Sequence, residues 1–259
     1  YFKDRGLFIS SLITPIILLV LYATFLAKVY KDSFTGALPE DFEIADKLIN
    51  GCVGGQLLSS LLAVCSVTVA FCSNTLMIQD KFLSGIKDFN VSPVKRSKIA
   101  AGYLVATFVS TLIVCVITCL LGFVYLAATG WYLSFADVVF ILLDVTLLSL
   151  FGTVLSSIIF IFLSTQGQVS AAGTIVSAGY GFLCGAYMPI SSFGAGLQKA
   201  LGFLPGTYGT SLVRNHALSG VFAEMRNVGF PTAEVEGIKD SIDCNLYFFG
   251  DKVEIQQMY

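Results

Sequence analysis

The chain has 259 residues, 56% of them apolar and only 12% charged, with a formal net charge of −2 and a mean hydropathy of +0.82. An average soluble domain carries about 25% charged residues, and one domain of this length has no interior for so much apolar surface, so lipid must be the solvent for part of it. The near-neutral balance gives no electrostatic footprint for nucleic acid, and no such partner is expected.

In chain order, the sequence opens on Tyr1 and closes on EIQQMY. It reads as a fragment clipped at both ends, with no cleavable signal peptide in view. A membrane-crossing helix needs about 20 mostly apolar residues. Five stretches meet that need, at about 7–27, 51–74, 101–127, 138–163 and 169–190. Only STQGQ, at 164–168, separates the last two, so those helices are expected to run antiparallel as neighbours.

Basic residues set the orientation, because they concentrate on cytoplasmic loops. With a cytoplasmic N-terminus, the short inner segments hold Lys3, Arg5, Lys81, Lys87, Lys95, Arg96 and Lys98. The much longer outer segments hold Lys28, Lys31, Lys47, Lys199, Arg214, Arg226, Lys239 and Lys252. The density is higher on the first set, so the N-terminus and the loop at 79–98 are assigned to the cytoplasm and 191–259 to the outside.

That loop, QDKFLSGIKDFNVSPVKRSK, is long for a simple turn. Phe82, Ile86 and Phe89 recur at helical spacing, and Pro93 closes the pattern because the residue before a proline is pushed out of the helical region. Two readings stand side by side: an amphipathic helix resting on lipid headgroups, and a knob presented to a cytoplasmic partner.

In the fifth stretch Ser170, Gly173, Ser177, Gly181 and Gly185 form a stripe of small residues, which lets two helix backbones approach in lipid. Packing within the chain is the plainer expectation. Asp144, in FILLDVTLL, is the clear ionisable residue inside an apolar stretch. It is read as structural or as lining a transport pathway, with ion coupling as the lesser alternative.

Beyond 190, FGAGLQKALGFL and YGTSLVRNHAL are too short to cross, and two short helices lying in or dipping into the outer leaflet are expected. Residues 220–259 read as a small acidic patch. The one histidine, His216, has no sequence neighbours from which a catalytic constellation can be built. Six of the seven cysteines lie in apolar runs as small hydrophobes. Cys115 and Cys119 share a helix face, but no metal site is expected there. Cys244 is a lone thiol in a polar tail. No GxxxxGK[ST] phosphate loop occurs, so the chain is not expected to be an enzyme, no cofactor is expected, and energy must come from another polypeptide or an ion gradient.

Three pieces together resemble a known family. YFKDRGLFISSLITPIILLVLYATFL at the start, QDKFLSGIKDFNVSPVKRSKIAAGYLVA after the second stretch, and GAYMPISSFGAGLQKALGFLPGTYGTSLVRNHALSG after the fifth are similar to segments of type-2 ABC exporter permeases, in that family's order. The resemblance implies an all-α integral membrane protein, a polytopic helical bundle of six spans with the sixth beyond Tyr259. It also implies two permease subunits, identical or different, in the lipid bilayer, and a separate ATP-binding cassette ATPase. It makes the helix at about 81–89 the coupling helix, with Asp80, Lys81, Phe82, Ile86, Phe89 and Pro93 at the ATPase contact. Where the family often carries Glu-Arg just before that helix, this chain has Gln79-Asp80-Lys81. The resemblance also sets spans one and five near the dimer interface. The expected function is export of a drug-like, lipid or other amphiphilic substrate. A scaffold or channel subunit without an ATPase and an ion-coupled secondary carrier are the alternatives.

Overall fold

The computed structural model describes residues 46–82, 95–163 and 165–259, together with Ile16, Ile17, Leu19, Val20, Leu21, Thr24 and Lys28. The stretch expected at 7–27 and most of the loop at 79–98 lie outside the described residues. Helix α1 spans Asp46–Phe82, α2 Arg96–Thr129 and α3 Phe135–Ile161. Among the described residues these three are the helices long and apolar enough to cross a membrane.

Helix α1 is the central one. Every residue from Gly51 to Phe71 is buried, because α2, α3, α4 (Gln166–Leu183) and α6 (Pro205–Asn227) all pack around it. A helix covered on every side needs no apolar stripe. Its polar residues are small and satisfied locally: Ser59 donates to the Gln56 carbonyl at 2.9 Å, Ser66 to Ala63 at 2.8 Å and Thr68 to Val64 at 3.0 Å. On α3 the pattern is inside-out. Asp144, Ser149, Thr153 and Ser156 are buried while Val139, Leu143, Leu147 and Ile158 are exposed, the arrangement expected of a helix whose outer face meets lipid.

Two devices lock α1 to its neighbours. At Gly152 on α3 an added Cβ would come within 2.5 Å of the Ser66 carbonyl oxygen and 3.1 Å of the Val67 Cα, so the missing side chain is what lets the two backbones touch. Lower down, the buried Asn74 amide donates to the hydroxyls of Ser156 and Ser157, both at 3.2 Å. Capping boxes start α3 (Ser134 with Asp137) and α4 (Thr165 with Gln168).

The region after 163 departs from expectation in three ways. First, α4 stops at Leu183 rather than running to Ile190. Gly185 adopts φ +72°, a left-handed turn that a glycine takes without strain, and a 3-10 turn, Ile190–Ser192, and α5, Ala195–Leu201, follow. Second, the expected second short surface helix is instead α6, 23 residues long with Pro205 in its first turn. Gly206 at one end abuts Phe151 and Tyr180, and Gly220 near the other abuts Tyr132, so α6 lies along the bundle. Its polar residues are buried and paired, which is why they read as surface in the sequence. Third, the acidic segment is ordered. It forms α7, Thr232–Ser241, then an antiparallel hairpin of β1, Leu246–Phe248, and β2, Asp251–Val253, then α8, Ile255–Met258. Phe249 and Gly250 at the hairpin tip both have positive φ, 53° and 103°, as a tight type I′ turn requires.

Candidate functional site

The polar residues of α6 point two ways. Toward α3, His216 Nδ1 lies 2.6 Å from Asp144 Oδ2, and the Tyr259 hydroxyl donates to Asp144 Oδ1 at 2.8 Å. The Asp144 side chain is fully buried, and Phe140 stacks on the imidazole with centroids 5.0 Å apart. One turn further along, Ser219 donates to Asp137 Oδ1 at 2.7 Å. Away from α3, Arg214 is 1% exposed. Its guanidinium donates to the carbonyls of Ile242 at 2.5 Å and Gly185 at 2.8 Å, and more weakly to the Ser59 hydroxyl at 3.4 Å. Asp243 stands 3.8 Å from it and accepts from the Ile190 amide at 2.6 Å. Burial pushes the Asp243 carboxyl above the ordinary aspartate range, against the opposing pull of Arg214 and the amides of Ile190 and Ser191. Ser211 and Asn215 both reach the Cys244 carbonyl, at 3.0 and 2.6 Å.

One arginine thus joins α1, α6, the turn after α4 and the C-terminal segment. A planar fork of five donors suits that task, since it serves several carbonyls in fixed directions. The strained position of Asp243, at φ 55°, is held by the same network.

Of the residues singled out for ATPase coupling, Asp80 accepts from the Tyr103 hydroxyl at 2.6 Å, which fastens the end of α1 to α2. Lys81 and Phe82 are the last residues of α1, so the helix runs unbroken into the start of the loop. Ile86, Phe89 and Pro93 lie outside the described residues.

The small-residue stripe divides. Ser170, Gly173 and Ser177 line an open groove of about 580 Å³ beside Phe71, Cys72, Thr75 and Phe160. A Cβ on Gly173 would meet no other atom within 4 Å, so no helix of the described chain packs on it. Gly181 lies against the Tyr187 ring, and Gly185 is beyond the helix, in the turn under Arg214. The residue that performs close helix contact is Gly152, which the stripe did not include.

The His216–Asp144 pair was also missed, because its members are 72 positions apart. A usable signal existed: the one histidine and the one carboxylate in mid-stretch each needed a partner away from water. All seven cysteines are free and all but Cys72 are buried, Cys244 included. Cys115 and Cys119 gain no third ligand; no group of three or more metal-binding side chains occurs among the described residues.

A bundle of apolar helices around a buried polar-lined central helix is the architecture of a polytopic membrane protein. The family model for ABC-2 type transporters matches residues 1–217, and the chain belongs to that family. It is a membrane permease of an ABC transporter, a transport subunit rather than a catalyst. No match was found among curated proteins or among solved structures.

Proposed function

We propose that the chain exports a drug-like, lipid or other amphiphilic substrate, driven by a separate ATP-binding cassette ATPase seated on the loop at 79–98. In this reading the N-terminus and that loop are cytoplasmic, 191–259 faces outward, and two permease subunits enclose the pathway, with the open Ser170–Gly173–Ser177 face of α4 toward the partner. The position of α1 is what supports it. One continuous 37-residue helix enters the loop at its Phe82 end and touches α2, α3, α4 and α6 along its length. Cores are close-packed and transmit displacement rather than absorb it, so a push on that end moves the whole bundle. The test is the pair Phe82→Asp and Phe89→Asp. The variant should insert normally, lose its copurifying ATPase and stop effluxing an amphiphilic dye. Normal efflux with the ATPase still bound would overturn the coupling role.

The Asp144–His216 pair favours a second reading, an ion-coupled carrier. Transport that survives ATP depletion and fails in Asp144→Asn would select it.

A further inference from the structure

The segments around α5 and the β hairpin build an aromatic knob that the transport reading leaves unused. Phe203 is 67% exposed and Phe249 60%. Phe203, Phe248 and Phe249 nonetheless touch one another edge to face, with centroids 5.4 Å apart for Phe203–Phe248 and 4.8 Å for Phe248–Phe249. The Lys199 ammonium lies 5.5 Å from the Phe249 ring centre and has no carboxylate partner among the described residues. The support is stiff. The hairpin closes in its tight turn, the Tyr208 hydroxyl donates to the Gly202 carbonyl at 2.6 Å, and Gln198 donates to the Phe193 carbonyl at 2.7 Å.

Its level in the molecule is also fixed. Thr207, at the stem of the knob, reaches the carbonyls of both Leu201 and Leu183, at 3.2 and 3.5 Å. Leu183 is the far end of α4, an 18-residue helix that rises about 27 Å at 1.5 Å per residue. The hydrocarbon layer is about 30 Å thick. A helix starting at one boundary therefore ends near the other, and the knob emerges where glycerol and phosphate begin. Aromatic rings with an adjacent lysine are the side chains that suit that layer.

We propose that Phe203, Phe248, Phe249 and Lys199 form a phospholipid-docking surface, with the rings among the upper acyl chains and Lys199 on a lipid phosphate. A second copy is the rival occupant. Two copies meeting about a two-fold axis through this patch would set Lys199 against Lys199 with no acid on the patch to compensate. The surface depends only on the chain crossing a membrane, whatever it carries and whatever drives it.

Depth-resolved quenching in the full chain tests this. Trp131→Phe removes the one tryptophan, and Phe249→Trp supplies a reporter, with Phe203→Trp as a second in case the first fails to fold. The protein is placed in vesicles of phosphatidylcholine brominated either near the carbonyl or near the terminal methyl. Quenching by the shallow bromine should exceed that by the deep bromine roughly twofold. Exchange of half the lipid for phosphatidylglycerol should increase it, and Lys199→Glu should cancel that increase. Quenching by neither lipid, with ready quenching by aqueous acrylamide, would overturn the proposal. So would lipid quenching that appears only when the chains are diluted to one per vesicle, which would give the surface to a second copy.

Discussion

Asp144 on α3 and His216 on α6 meet at 2.6 Å with the carboxylate fully removed from solvent, and no lysine or arginine shares the contact. Each is the other's chief partner, with the Tyr259 hydroxyl on the remaining oxygen. Removing one member strands the other in a place water does not reach, whereas removing both does not.

His216→Ala is therefore expected to cost about 3 kcal/mol, the scale of a broken buried pair. Asp144→Asn, which keeps an oxygen for Tyr259, should cost about 1 kcal/mol. The double variant should be more stable than the sum of the two changes implies, by about 1 kcal/mol or more. Thermal unfolding in detergent measures all three. Simple additivity would show that the two side chains are neighbours without being coupled.

Arg214 makes a sharper case, because its role is geometric. Arg214→Lys keeps the charge but has one ammonium where the guanidinium serves Ile242, Gly185 and Ser59. The expected loss is about 2 kcal/mol or more. It should show locally, as faster amide exchange in 185–192 and 242–246, while α1 to α3 keep their protection. Uniform loosening of the whole bundle would mean that Arg214 supports the core rather than the turn after α4.

The sequence makes the long apolar helices legible because lipid enforces a length and a composition, and α2 and α3 fall where the hydropathy puts them. It misleads at α6 for the opposite reason. Arg214, Asn215 and His216 interrupt the apolar pattern, and polarity in a sequence does not distinguish contact with water from contact with a distant carbonyl. The hairpin escapes notice because each strand is three residues long, too short for alternation to register. Gly152 escapes because a close contact depends on what faces it, here the Ser66–Val67 backbone, and the five-residue stripe on α4 has stronger periodicity without a described neighbour.

That contrast gives a prediction. Gly152→Ala sets a Cβ against backbone at 2.5 Å, which no rotamer change relieves, and should cost about 1–3 kcal/mol as α1 and α3 are forced apart. Gly173→Ala adds a methyl where nothing lies within 4 Å. In a helix it should be neutral or stabilise by about 0.5–1 kcal/mol. A bulkier Gly173→Leu should leave the fold of the chain intact as well, yet reduce subunit association if α4 faces the second permease. Unfolding temperature and oligomeric mass, measured on the same preparations, separate the two effects.

Acid sensitivity is expected to be confined to the C-terminal module. Glu236 on α7 accepts from Lys239 at 2.9 Å, Lys252 at 3.0 Å and Asn245 at 3.1 Å, and so ties α7 to β2 and the loop between. These bonds hold its carboxyl down at about 2, from an ordinary value of 4.5. A depressed carboxylate stabilises the folded form fully above its unfolded value, and the contribution is lost as pH falls through the folded one. The tie should thus be intact at neutral pH, weaken below about pH 4.5 and be gone near pH 2. The effect is small because the pair with Lys252 is exposed to solvent. Amide exchange in 246–253 should rise through that window in the native chain. Glu236→Gln should exchange faster at neutral pH and lose the acid dependence, and an unchanged profile would place the acid sensitivity on another group.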